Sequence, residues 1–235
     1  MGVMYGVNPT WGAQTNAGRT HIATKGIVQS GLVLNLDAGV LSSYPGSGNT
    51  WTDLSGNGNT GTLNNMQVPG DYTSTNGGIL TFDGSNEYVS STLPALTSHT
   101  TSAWVRLRIP NAGEYQLLQT LNDGFGMSVL TNKFFTYNGG NNFGTQTVVN
   151  DVWYNWVVTS TNTPSNSTKI IINNVVDGTF STYGAMSSGA IALAGYVGQS
   201  RYLNADISSF TVYNRVLTAA EIQQNYLATK SRYFS

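Results

Sequence analysis

From Gly31 to Arg215 the chain runs as short stretches of β-branched and aromatic residues, each closed by a cluster of Gly, Asn, Ser or Pro. Such punctuation builds strands and leaves little room for helices. The candidate strands are GLVLNLDA, GILTFDG, EYVSS, TSAWVRLRI, EYQLLQTL, GFGMSVL, KFFTYN, VWYNWVVTS, TKIIINNVV, AIALAGYVG and ADISSFTVYNR. Several alternate with period two: Ala103, Val105, Leu107 and Ile109 share one face, while Trp104, Arg106 and Arg108 lie on the other. That suits an antiparallel sheet with one face buried. Many strands joined by short turns predict an all-β fold, an antiparallel two-sheet jelly-roll sandwich, and not layered α/β.

Two segments stand outside this pattern. LTAAEIQQNYLATK offers Thr218 as an N-cap with Glu221 three residues on, a capping box, and sets Ile222, Tyr226 and Leu227 on one stripe. One short C-terminal helix closing an edge of the sandwich is expected. Residues 1–30 are punctuated by Gly, do not alternate, and carry isolated apolar side chains at Val3, Met4, Tyr5, Val7, Trp11, Ile22, Ile27 and Val28. They read as an extended N-terminal arm, 1–30, ahead of a jelly-roll domain, 31–235. So much apolar surface calls for a partner; the alternative is that the arm packs on its own domain or is simply mobile.

Composition narrows the function. Charged residues make up 9% of the chain, 10 Lys and Arg against 11 Asp and Glu, so no electrostatic footprint for nucleic acid or anionic lipid is present. Asn, Thr, Ser, Gln and Gly must make the surface polar instead. A 40% hydrophobic fraction with 11% aromatics argues for a folded chain. Without Cys there is neither a disulfide framework nor a thiolate metal site. No segment is apolar enough for long enough to span a membrane, and MGVMYGVNPTWGAQT lacks the basic region and apolar run of a secretory signal.

WTDLSGNGNTGTL, residues 51–63, sets Trp51, Asp53, Leu54 and Leu63 among small polar residues. Gly56, Gly58 and Gly61 permit positive φ and Asn57 and Asn59 tolerate it, so a tight turn explains most of the stretch. Its context goes further: LVLNLDAG, SYPGSGNTWTDLSGNGNTGTL, GGILTFDGSNEYV, SAWVRL, WYNWVVT and DISSFTVYNRVLTAAEIQQNY follow in that order. From about Gly31 to Leu227 this succession resembles the laminin G-like, concanavalin A-like lectin/glucanase superfamily, in particular the modules of structural proteins of tailed phages of marine bacteria. ATKGIVQSGLVLNLDAG is similar to the lead-in of the phage copies. The resemblance implies a two-sheet antiparallel jelly roll. One departure is IIINNVVDGTF, where the family more often has an Asn-Gly hairpin; Asn173 and Asn174 can fill the left-handed turn positions.

Glycoside hydrolysis needs two carboxyl groups roughly 5 to 10 Å apart. The Glu-x-Asp-x-x-Glu strand motif of the superfamily's glucanases is absent, and neither Glu87 nor Glu114 has a carboxylate two residues away on the same strand face. His21 and His99 are the only histidines, both expected in solvent, and there is no Gly-x-Ser-x-Gly elbow, so a nucleophilic triad is not expected. The protein is expected to be no enzyme and to need no cofactor, with calcium the one ion that the resemblance brings in. Its oxygen ligands at a loop rim would be Asp53, Asn57, Asn59 and Asp83, with Asn86 and Glu87 beside the last. The alternative is that the two aspartates accept hydrogen bonds from turn amides. A sugar needs an exposed aromatic platform. Trp104, Trp153 and Trp156 lie in strands and are expected in the core, which leaves Trp51, Tyr44, Tyr72 and Tyr183 as loop candidates for a glycan; the alternative is that such rings staple their loops to the sandwich, with Trp51, Leu54 and Leu63 packing inward and Asp53 holding the turn.

The leading expectation is a virion structural protein of a phage, a capsid decoration or fibre component that displays a lectin-like module. Its partners would be other virion proteins and copies of itself, as a trimer, joined through the arm. The alternative is a carbohydrate-binding module for surface glycans, and the remaining reading is a glycoside hydrolase with Asp83 and Glu87 as the nearest carboxyl pair.

Overall fold

The computed structural model describes residues 26–109, 113–120, 125–138 and 140–234. Most of the expected arm, with Val3, Met4, Tyr5, Val7, Trp11, His21 and Ile22, lies outside these residues. Among the described residues the strands are, in chain order, β1 (Leu32–Asp37), β2 (Thr50–Trp51), β3 (Gly61–Asn64), β4 (Tyr72–Thr73), β5 (Ile79–Asp83), β6 (Tyr88–Leu93), β7 (His99–Leu107) and β8 (Tyr115–Thr120). They continue with β9 (Phe125–Leu130), β10 (Lys133–Asn138), β11 (Asn141–Thr147), β12 (Trp153–Thr161), β13 (Ser167–Ile172), β14 (Val175–Phe180), β15 (Gly189–Leu193) and β16 (Asn204–Tyr213). Two antiparallel sheets result, one ordered β14, β13, β12, β7, β16, β5, β4 with β1 also on β16, the other β11, β10, β9, β8, β15, β6, β3, β2. Each of the eleven predicted runs contains a strand.

The alternation on β7 carries through: Ala103, Val105, Leu107 and Ile109 are buried against the second sheet. Around them Leu80, Trp156 and Ile170 of the first sheet meet Val89, Met127, Phe134 and Ile191 of the second in one continuous core. Asn173 and Asn174, at φ 51° and 67°, make the two-residue turn between β13 and β14, as the sequence allowed.

β1 and β5 occupy one position in the first sheet, end to end. β5 pairs with β16 from Asn204 to Ile207 and β1 pairs with it from Ser209 to Tyr213, leaving Ser208 at the joint. Ser208 Oγ donates to Gly78 O at 2.7 Å and accepts from Tyr233 Oη at 2.8 Å and Arg232 Nη2 at 3.0 Å. At the outer edges, β2 and β4 are two residues long, and β11 and β14 lie against each other, tied by Asp177. Its Oδ1 accepts from Thr145 N at 3.0 Å and Gln146 N at 2.7 Å.

The predicted helix is α1 (Ala219–Thr229), with its capping box formed between Thr218 and Glu221. It does not close an edge. It lies on the outer face of the first sheet, where Ile222 packs with Val157, Ile171 and Tyr213. Leu227 stays exposed, and the sheet-facing stripe is half polar. Asn225 Oδ1 accepts from Val28 N at 2.8 Å, its Nδ2 donates to Tyr213 Oη at 3.0 Å, and Thr229 Oγ1 accepts from Trp104 Nε1 at 2.8 Å. Ile27 and Val28, the end of the expected arm, therefore pack on the domain beside this helix. Trp104 and Trp153 are buried as expected, but outside the sandwich core, beneath Tyr226 and Tyr233. Trp156 lies in the core itself.

Candidate functional site

The loop aromatics do not form a platform. Trp51 and Tyr44 are 0% exposed, which removes both as surfaces on which a sugar could stack. Large rings gain most when buried, and these two anchor their loop in the core. Tyr72 is half-buried and edge-on to Tyr44 at 5.2 Å; Tyr183 is half-buried between β14 and β15. His99 is likewise buried and not in solvent: its Nε2 lies 2.9 Å from Gly184 O and its ring is edge-on to Phe125.

The 51–63 loop covers the free edge of β1. Leu54 N donates to Asn35 O at 2.8 Å, Asn57 Nδ2 to Leu32 O at 3.0 Å, and Asn59 Nδ2 and Ser55 Oγ to Val33 O at 2.7 and 3.0 Å. Asp53, 8% exposed, accepts from Asn35 N and Ser55 N at one oxygen (2.9 and 2.8 Å) and from Asn59 N and Ser55 Oγ at the other (3.0 and 2.7 Å). Both oxygens are thus engaged by donors. Asp83 does not join this loop. Asn35 stands opposite Thr211 and Asp83 opposite Asn204, seven residues along β16, which is about 23 Å at roughly 3.3 Å per residue. The four residues expected to hold calcium therefore do not make one ligand set, and no three His, Asp or Glu side chains cluster as a metal site among the described residues.

Glu87 is 5% exposed, and its Oε2 accepts from Asp83 N at 2.7 Å. Burial raises its pKa from 4.5 to about 7, aided by the Asp71 and Asp83 carboxylates and opposed by that N–H. A carboxyl with a higher pKa folded than unfolded keeps its proton in the native state, so stability is full below pH 4.5 and falls as pH rises towards 7. Glu87→Gln is expected to match the wild type at pH 4 and to exceed it at pH 8 by about 1–2 kcal/mol, measured by denaturant unfolding at both pH values.

A groove of about 370 Å³ crosses β8, β9, β10 and β11 on the outer face of the second sheet. Its floor depends on a bulge. The register of β8 against β9 shifts between Gln116 and Leu118. Leu117 and Leu118 both enter the core, and Gln116 and Gln119, three residues apart, both line the groove, where strict alternation would send them to opposite faces. A relay orients these amides: Ser128 Oγ donates to Gln116 Oε1 at 2.8 Å and Gln116 Nε2 to Gln119 Oε1 at 3.0 Å. Gly126 leaves them room, since a Cβ there would lie 2.4 Å from Gln116 Nε2.

Along β10, Phe134 and Thr136 point inward and Phe135 and Tyr137 line the groove. Phe135 stacks on Phe143 of β11 at 5.0 Å and 28°, and Tyr137 is 44% exposed beside Asn141. The far wall is the turn between β15 and β16, carrying Tyr196 and Gln199 and closed by Gln199 N to Tyr196 O at 3.0 Å. Arg201 ties this turn to the start of β8 through Glu114, Nη1 to Oε1 at 2.8 Å. Aromatic faces beside oriented amides suit a sugar, whose C–H faces stack while its hydroxyls bond. Glu114 is the single carboxyl group among the described lining residues. None of the four loop aromatics reaches this groove. Its signal in the sequence was KFFTYN, where two aromatics two residues apart share the face opposite Phe134.

The two packed antiparallel sheets define an all-β sandwich of concanavalin A-like architecture. Residues 83–223, more than half of the chain, match the model of a family described as Laminin_G_3, concanavalin A-like lectin/glucanases superfamily; the chain belongs to that superfamily. No curated protein matches the sequence. Among solved structures the chain is similar to the botulinum neurotoxin type G receptor-binding domain, at 16% identity and a TM-score of 0.64 over 84% of this chain and 51% of that one. It is similar also to the binding domain of Paraclostridial Mosquitocidal Protein 1, at 16% identity and a TM-score of 0.63 over 86% and 53%. For the Trypanosoma rangeli sialidase in complex with the inhibitor DANA, the values are 16% and 0.65 over 86% and 34%. The chain spans about half the length of the two binding domains, and identities this low compare folds alone.

Proposed function

We propose that the protein is a non-enzymatic carbohydrate-binding module that holds a glycan in the groove across β8 to β11. The observation that carries this reading is the exposed ring of Tyr137 beside the exposed amides of Asn141 and Gln199 along the groove. The named roles of two fold neighbours, receptor binding and binding, support it. A two-carboxyl glycoside hydrolysis has a single described carboxyl to draw on in this groove, and Arg201 occupies it. Display of the module on a phage virion, as capsid decoration or fibre component among other virion proteins and copies of itself, is the setting we favour; the motif succession from LVLNLDAG to VYNRVLT supports it.

Tyr137→Ala is expected to weaken glycan binding roughly 10- to 100-fold, the range for losing an anchoring aromatic, with the melting temperature unchanged. Titration calorimetry with a glycan selected on an array measures it. Unchanged affinity would move the site away from this groove.

A further inference from the structure

Resting on the reading of this groove as a glycan site, we infer that its ligand is an uncharged oligosaccharide laid across the four strands, and not an acidic glycan. Charge is the first ground. Among the described lining residues there is one cation and one anion, Arg201 and Glu114, and they pair with each other. A carboxylate or sulfate on the ligand that reached Arg201 would lie beside the Glu114 carboxylate already paired with it, and that like charge offsets the attraction. Lys133, the next cation on β10, is turned to β11, where its ammonium donates to Thr145 O and to Thr147 Oγ1.

The hydrogen-bonding character of the floor is the second ground. A sugar hydroxyl both donates and accepts, whereas a carboxylate only accepts and needs N–H or O–H groups facing it. Gln116 Oε1 accepts from Ser128 Oγ, both Gln116 N–H groups are spent on Gln119 Oε1 and Leu118 O, and Gln119 Nε2 donates to Thr120 O, so the floor's donors are engaged within the protein and do not turn towards an anion. Extent is the third ground. Four strands at about 4.8 Å spacing span about 14 Å, longer than one sugar ring.

In this arrangement the Glu114–Arg201 pair does not bind ligand. It holds the turn that carries Tyr196 and Gln199 against β8, which makes Glu114 a positioning residue.

The test uses the full chain and two sets of probes: neutral cello-, malto- and laminari-oligosaccharides, and acidic oligogalacturonate, heparin oligosaccharide and sialyllactose. At least one neutral probe is expected to bind, longer members more tightly than disaccharides, with affinity constant within about twofold between 50 and 500 mM NaCl. Tyr137→Ala and Gln199→Ala, both at exposed positions, are each expected to weaken that binding with unchanged melting temperature. Acidic probes that bind tenfold more tightly than neutral ones, with affinity falling as salt rises and lost in Tyr137→Ala, would overturn the inference and leave the groove as the glycan site. No binding from either set, or binding that survives both variants, would overturn the groove reading itself and the inference with it.

Discussion

Trp104→Ala is expected to cost about 3–5 kcal/mol of unfolding free energy, the range for removing a buried tryptophan, although position 104 points away from the sandwich core. The ring is 2% exposed. It stacks on Tyr233 at 4.1 Å and 20° and on Tyr226 at 5.7 Å and 16°, and its Nε1 donates to Thr229. All three contacts come from α1 and the tail after it, so the cavity opens between sheet and helix. Residues 219–234 are therefore expected to become cleavable by protease under native conditions, in step with the lost stability. Urea unfolding and limited proteolysis measure the two effects. A wild-type midpoint together with an uncleaved tail would mean that the helix is held by something other than this stack.

Asp53→Ala is the second large effect, expected at about 3–6 kcal/mol, because three backbone N–H groups lose an acceptor that is itself only 8% exposed. With them goes the loop that satisfies the outer edge of β1. Calcium separates this role from metal binding: the wild-type melting temperature is expected to be the same with calcium as with a chelator. A calcium-dependent rise that Asp53→Ala abolishes would make Asp53 a metal ligand.

The legible parts of the fold were those in which side-chain chemistry repeats locally. The alternation of β7, the Asn173–Asn174 turn and the Thr218–Glu221 box each depend on neighbours within a few residues, and each is present. Strands β2, β3, β4 and β11 carried no such signal. Two are two residues long, and β3 and β11, GTLN and NNFGTQT, have the composition of turns, so partner strands alone make them strands. The same limit misplaced α1, since a short amphipathic helix shows how much of itself it buries and not which surface receives it. The groove was hidden for a sharper reason: Gln116 and Gln119 share a face only because the bulge adds a residue between them. Trp51 and Tyr44 lay in loop sequence, where stapling the loop and facing a glycan were both open; the inward packing expected for Trp51 is what the structure has, and the choice depends on long-range packing that local composition does not record.

The treatment of the sheet margins has a consequence for crowding. Two marginal strands are two residues long, the 51–63 loop occupies the side of β1 where another strand could add, and Asp177 binds β14 and β11 to each other. Among the described residues, these margins leave an extended segment from a neighbouring molecule little open backbone on which to lengthen either sheet. Many copies held close together on one scaffold would therefore stay separate, solvated units, each free to turn its groove outward, without fusing strand to strand into a fibre.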